Sequence, residues 1–135
     1  MQLNRSTDYA IQMLVHLAKA GKIVSSSKLA ASIGVSHRYL LQISAKLREA
    51  GFIRVAHGSA GGMILLKPSE EICLYEVIIG MEGIIRTGDI CGIPSDEISQ
   101  VMLMLKNEYR KVDRMLERSL KEITLARILE ADLYL

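Results

Sequence analysis

The chain has 135 residues, half of them hydrophobic and 24% charged, which fits one globular domain or a small domain with an assembly arm. One Phe, five Tyr and no Trp argue against a reader of single-stranded nucleic acid, which needs aromatic platforms for stacking. The net charge of +2 is unevenly placed: residues 1–68 carry nine Lys/Arg against two acids and residues 69–135 carry eight against thirteen, so +7 and −5. A basic half joined to an acidic half is the pattern of a polyanion-binding head on an assembly or sensing body.

In chain order, residues 1–5 read as extended, with Arg5 within reach of a phosphate. A first helix is expected over 6–20, capped by Ser6 or Thr7, with Asp8 favoured by the dipole in its first turn. Ala10, Met13, Leu14, Leu17 and Ala18 form its apolar stripe, and Gly21 ends it. His16 lies off that stripe. It reads as a solvated histidine, because no Cys, His or carboxylate accompanies it at metal-binding spacing within the helix.

The stretch 25–67 organises the chain. Ser25-Ser26-Ser27 supplies N-cap chemistry for a short helix with Leu29, Ala30 and Ile33 on one face. Gly34-Val35-Ser36 makes the turn, with Ser36 placed to cap the next helix. That helix is expected over 37–50, with Leu40, Ile43 and Leu47 buried and Arg38, Gln42 and Lys46 outside. A helix with long polar donors on its outer face, entered through a tight turn, suits a major groove. Two β-prone runs, 52–56 and 63–66, then flank the glycine-rich tip 57–62 and read as a hairpin wing closed by Pro68. The candidate DNA contacts are Ser36, His37, Arg38, Tyr39, Gln42 and Lys46, with His57, Gly58 and Gly61 at the tip. Arginine pairs with guanine and glutamine with adenine, so Arg38 and Gln42 are the base readers. Ser36, Tyr39 and Lys46 suit phosphates.

A fourth helix is expected over 69–83, with Cys73-Leu74-Tyr75-Glu76 standing where a capping box would read Ser/Thr-x-x-Glu. A loop over 83–94 holds Cys91. Cys73 and Cys91 are candidate sensing thiols, and an inert, partly buried thiol is the plainer reading of Cys73. A long helix over 95–121, capped by Ser95, carries a heptad seam: Ile98, Met102, Leu105, Tyr109, Val112, Leu116 and, beyond a polar Ser119, Ile123. Val101, Met104, Met115 and Leu120 widen its apolar face beyond what the remaining chain covers. A second copy of the same helix would cover it, which predicts a two-fold homodimer. A last short helix within 124–133 is expected to fold back over the head or a partner subunit.

The residues 36–42, the run Lys46-Leu47-Arg48-Glu49-Ala50-Gly51, the tip Gly58 with Gly61-Gly62, and the stretch 71–83 together resemble the Rrf-two (BadM-type) winged-helix regulators over nearly the whole chain. The resemblance implies a bacterial transcription regulator that binds DNA as a homodimer, often with an iron–sulfur sensor. Three departures stand out. The family's wing usually carries arginine where this chain has His57 and tyrosine where it has Met63, and serine or threonine at the position of Cys73. The family's cluster-bearing members place three cysteines in the loop that here holds Cys91 alone. A cluster commonly needs four ligands, mostly thiolates, so no cofactor is expected, and the alternative is an unusual iron–sulfur site in which Cys73, or Asp8 of a partner subunit, joins Cys91.

The expected architecture is mainly α with a small β-hairpin: a winged helix-turn-helix head over 1–68, then an effector loop and helical dimerisation region over 69–135. The expected function is a dimeric, sequence-specific regulator, a repressor by preference, acting on a palindromic double-stranded operator and answering a small molecule, redox state or protein partner. No run is long enough to span a membrane and no signal peptide is legible, so the cytoplasm is the expected setting. An enzyme is not expected, since no catalytic triad, phosphate loop or metal-spaced cluster is readable. The rival is a winged helix that serves protein interaction without sequence-specific DNA binding.

Overall fold

The computed structural model describes residues 2–83 and 99–131. Its elements in chain order are α1 (Arg5–Ala20), α2 (Ser26–Ile33), α3 (His37–Glu49), β1 (Ile53–Ala56), β2 (Gly62–Leu65), a 3-10 turn at Ser69–Glu71, α4 (Leu74–Glu82), α5 (Gln100–Glu122) and α6 (Leu125–Ala131). This is the expected class: mainly helical, with one antiparallel hairpin as the wing.

The apolar stripes meet in one core. Ala10, Met13, Leu14 and Leu17 of α1, Leu29 and Ala30 of α2, and Leu40, Ile43 and Leu47 of α3 are all buried there. Phe52, Ile53 and Met63 join from the wing, and Ile72, Val77 and Leu125 from the second half of the chain. Met63 fills the core, as expected of a flexible thioether. The basic head and the acidic remainder therefore share a single hydrophobic cluster.

Several boundaries differ from the sequence expectation, each for a local reason. Neither Ser6 nor Thr7 caps α1. The helix starts at Arg5 behind Asn4, whose side chain makes no cap bond. The Asn4 amide instead donates to Glu82 Oε1 at 3.3 Å, so the end of α4 serves the start of α1. Thr7 is fully buried, with an unpartnered Oγ1. The helix expected over 69–83 is interrupted. Ile72 is extended, because its carbonyl accepts the Leu125 amide at 2.9 Å, while the Leu74 amide donates to the Ile123 carbonyl at 2.8 Å. These two bonds make Cys73 and Thr124 bridge partners. Cys73 holds the N-cap position of α4, but its thiol makes no cap bond, so the capping box does not form.

The described part of α5 is capped by Ser99, whose Oγ accepts the Met102 amide at 3.2 Å. The residue expected in that role, Ser95, lies outside the described residues, as do Cys91 and Ile98. Near its end α5 holds α4: Lys121 Nζ sits 2.9 Å from Glu117 Oε1 and 4.9 Å from the centre of the Tyr75 ring. The hydrogen bond from Lys121 holds the Glu117 carboxyl below its usual range. Helix α6, capped by Thr124, returns to α1 of the same chain and buries Leu125. No helix among the described residues is long and apolar enough to cross a membrane.

Candidate nucleic-acid interface

Two serine caps and a glycine turn set the angle between α2 and α3. Ser25 Oγ accepts the Lys28 amide at 3.2 Å, and Ser36 Oγ accepts the Tyr39 amide at 3.1 Å. Gly34, at φ 73°, takes the left-handed conformation that ends α2, a conformation that costs other residues roughly 1 kcal/mol. A further bond crosses the turn: Ser26 Oγ and His37 Nε2 lie 2.7 Å apart. Tyr39 is half-buried, its ring edge-on to Tyr9 of α1 with centroids 5.8 Å apart.

The outer face of α3 is exposed and mainly polar. Arg38, Gln42 and Lys46 are exposed, as are Leu41, Ala45, Arg48 and Glu49. These three expected contacts do not form a straight row. Steps of four residues overshoot the 3.6-residue turn by about 40° each, so the row winds from Arg38 round to Lys46. The outermost line at helical spacing is Arg38, Leu41 or Gln42, Ala45 and Glu49. Sequence reasoning passed over Leu41 and Ala45 because they are apolar.

The wing pairs Ile53 with Leu65, Arg54 with Ile64, Val55 with Met63 and Ala56 with Gly62. A third segment joins it. Val24 exchanges both backbone bonds with Met63, at 3.0 and 2.8 Å, which ties the wing to the entry of α2. Gly62 is needed there: a Cβ would collide with the Val24 carbonyl. Gly61 is similarly enclosed by the backbone of Ala56 and Gly58, and its amide donates to the Gly58 carbonyl at 3.0 Å. Gly61 is thus explained by the wing's own closure and Gly62 by the approach of Val24, while His57 and Gly58 remain exposed at the wing's end.

Between α3 and the wing runs an open cleft of about 440 Å³, with Ser25, Ser26, Leu41, Ala45, Arg48 and His57 among its walls. Of the expected DNA contacts, the wing-tip residues His57, Gly58 and Gly61 line this cleft, while those of α3 do not: its α3 wall is Leu41, Ser44, Ala45 and Arg48, and Arg38, Gln42 and Lys46 are exposed on the same helix outside it. Arg48, which the sequence reading left out, stands in it.

The comparisons with known proteins agree with this geometry. The Rrf2 family model, described as an iron-dependent transcriptional regulator, matches residues 3–131. The chain belongs to the Rrf2 family. Among solved structures, IscR of T. potens is 28% identical, with 98% of this chain and 88% of that one covered and a TM-score of 0.77. CymR of Staphylococcus aureus in its oxidized form is 25% identical, with 95% of each chain covered and a TM-score of 0.71. CymR of B. subtilis, the global cysteine regulator, is 21% identical over 97% of this chain and 98% of that one, with a TM-score of 0.82, and shows the shared fold. This Rrf2 chain is accordingly a winged-helix, DNA-binding transcription regulator.

The iron of the family's description finds no site among the described residues. No group of three or more His, Cys, Asp or Glu is gathered there to hold a metal ion. Cys73, half-buried, is the one described cysteine.

Proposed function

We propose that this protein is a homodimeric repressor that binds a roughly palindromic operator and is released or retained by a cellular signal. The supporting observation is the α3 surface: a serine-capped helix presents Arg38, Gln42 and Lys46 to solvent beside a wing, on a head with a charge of +7 over residues 1–68. Arg38 and Gln42 read base edges; Lys46 and the Tyr39 hydroxyl meet phosphates; His57, Gly58 and Gly61 bring the wing to the neighbouring groove. Ser36 and His37 act at the entry of the helix, where their own bonds fix its first turn.

Dimerisation falls to α5. Its exposed apolar side chains include Val101 (73%), Met104 (63%), Met115 (64%), Leu105 and Val112, while Met102, Tyr109 and Leu116 are half-buried. Such a face on a 23-residue helix suits a second copy of itself. Residues 1–68 form the DNA-binding part, and 69–135 the effector loop and dimer arm in the cytoplasm. The signal is a small molecule, a redox change at Cys73 or Cys91, or a protein partner, with no bound cofactor. The exposed cations on α3 favour this reading over a protein-interaction module, because interface cores are depleted of charge.

The test is selection of bound fragments from a pool of random-sequence duplex DNA, followed by a salt series on the winner. Enrichment of a palindrome, with affinity falling by about 0.9 log unit per log unit of salt for each phosphate neutralised, supports the reading. Failure to enrich any sequence over repeated rounds, reduced or oxidised, rejects it.

A further inference from the structure

The outer face of α3 carries one large apolar side chain that the core does not need. Leu40 beside it is fully buried and fills the core position, while Leu41 is 44% exposed. One turn on, Ala45 is exposed on the same side of the helix and lines the same cleft. Together they make an apolar step on a basic surface. Arg38 precedes it, Lys46 and Arg48 follow it, and the wing tip with His57 faces it across the cleft. The flanking cations anchor a polyanion on either side of the step, so the apolar pair is held against whatever that polyanion shows between its phosphates. In a major groove, one apolar group is on offer: the C5-methyl of thymine.

We propose that Leu41, seated against Ala45, reads a thymine methyl in each operator half-site and so determines specificity alongside Arg38 and Gln42. This rests on the DNA-binding reading above and adds to it a base preference carried by no hydrogen bond. Arg38 and Gln42 bracket Leu41 within a helical turn, so the methyl belongs within a base pair or two of the bases they contact. Removing one methyl from such a contact weakens binding about fourfold, the equivalent of about 0.8 kcal/mol for one buried carbon.

The experiment exchanges single atoms' worth of surface. The operator is selected from a random-sequence duplex pool by the full-length protein. Each thymine is then replaced by deoxyuridine, symmetrically in both half-sites, which deletes the methyl and leaves base pairing intact. Affinities are measured for the natural protein and for Leu41→Ala, whose exposed site leaves the fold in place, checked by an unchanged melting curve. The expected result is one symmetric position where uracil costs the natural protein tenfold or more and costs Leu41→Ala nothing, while penalties at other positions persist in both. An enriched operator in which no position shows that difference overturns the Leu41 assignment and leaves the DNA-binding reading intact. A pool that yields no enriched sequence overturns both.

Discussion

Ser26 Oγ lies 2.7 Å from His37 Nε2, and the contact joins the first residue of α2 to the first residue of α3 across the helix-turn-helix. The histidine ring is thereby turned back onto its own scaffold. Its part in DNA recognition is then to fix the pitch at which α3 leaves the turn. Ser26→Ala and His37→Ala are expected to be non-additive, with a coupling of about 0.5–1 kcal/mol for the lost bond. Urea unfolding of the two single variants and the double variant measures it. Strictly additive losses would show that the bond contributes nothing.

Gly62 is the point where the wing meets the entry of α2. Gly62→Ala drives a Cβ into the Val24 carbonyl and must part Val24 from Met63. A loss of about 1–3 kcal/mol in stability is expected, as for other forced overpacking. Amide exchange should accelerate at both Val24 and Met63. Unchanged protection at those two amides would contradict the assigned junction.

Thr7 buries a hydroxyl with no partner. Thr7→Val keeps the shape and removes the orphan group, so it is expected to stabilise the protein by roughly 1 kcal/mol. A fall in the unfolding midpoint would mean that the hydroxyl is satisfied in solution.

The local chemistry of the head was legible in the sequence, and long-range chemistry was not. Ser25 and Ser36 were readable as caps because a cap needs only the next three residues. Leu40, Ile43 and Leu47 were readable because burial repeats with the helix. The start of α1 was misplaced at Ser6 or Thr7 because its amide partner, Glu82, lies 78 positions away. The break at Ile72 was hidden for the same reason: its carbonyl is claimed by Leu125, which no window around Ile72 contains. Val24 gave no strand signal, since a single bridging residue has no period. In the interface, a search for hydrogen-bonding side chains found Arg38 and Gln42 and stepped over Leu41 between them.

Arg38 and Lys46 are expected to fail in different ways. Arg38→Ala should lose discrimination at one base pair per half-site, about 1–3 kcal/mol per contact. Lys46→Ala should weaken all operators alike and lower the salt slope by about one. Competition binding over a panel of mutated operators separates the two, and identical profiles would remove Arg38 from the list of base readers.

Leu105→Asp places a carboxylate in the exposed apolar face of α5. It should yield monomers, because a charge buried against a second copy is costly. Light scattering at micromolar concentration reads the mass, and a dimer of normal mass would move the interface elsewhere.

The bridge between Cys73 and Thr124 sets the mechanics of the molecule. Helix α5 has 23 residues, so it reaches about 35 Å beyond the junction. The junction itself is held by two backbone bonds, from Leu74 to Ile123 and from Leu125 to Ile72, directly under the head. The long helix is thus a lever with its fulcrum clipped to α4. A tilt of about 5° at the clip swings the far end by about 3 Å, roughly the rise of one base pair.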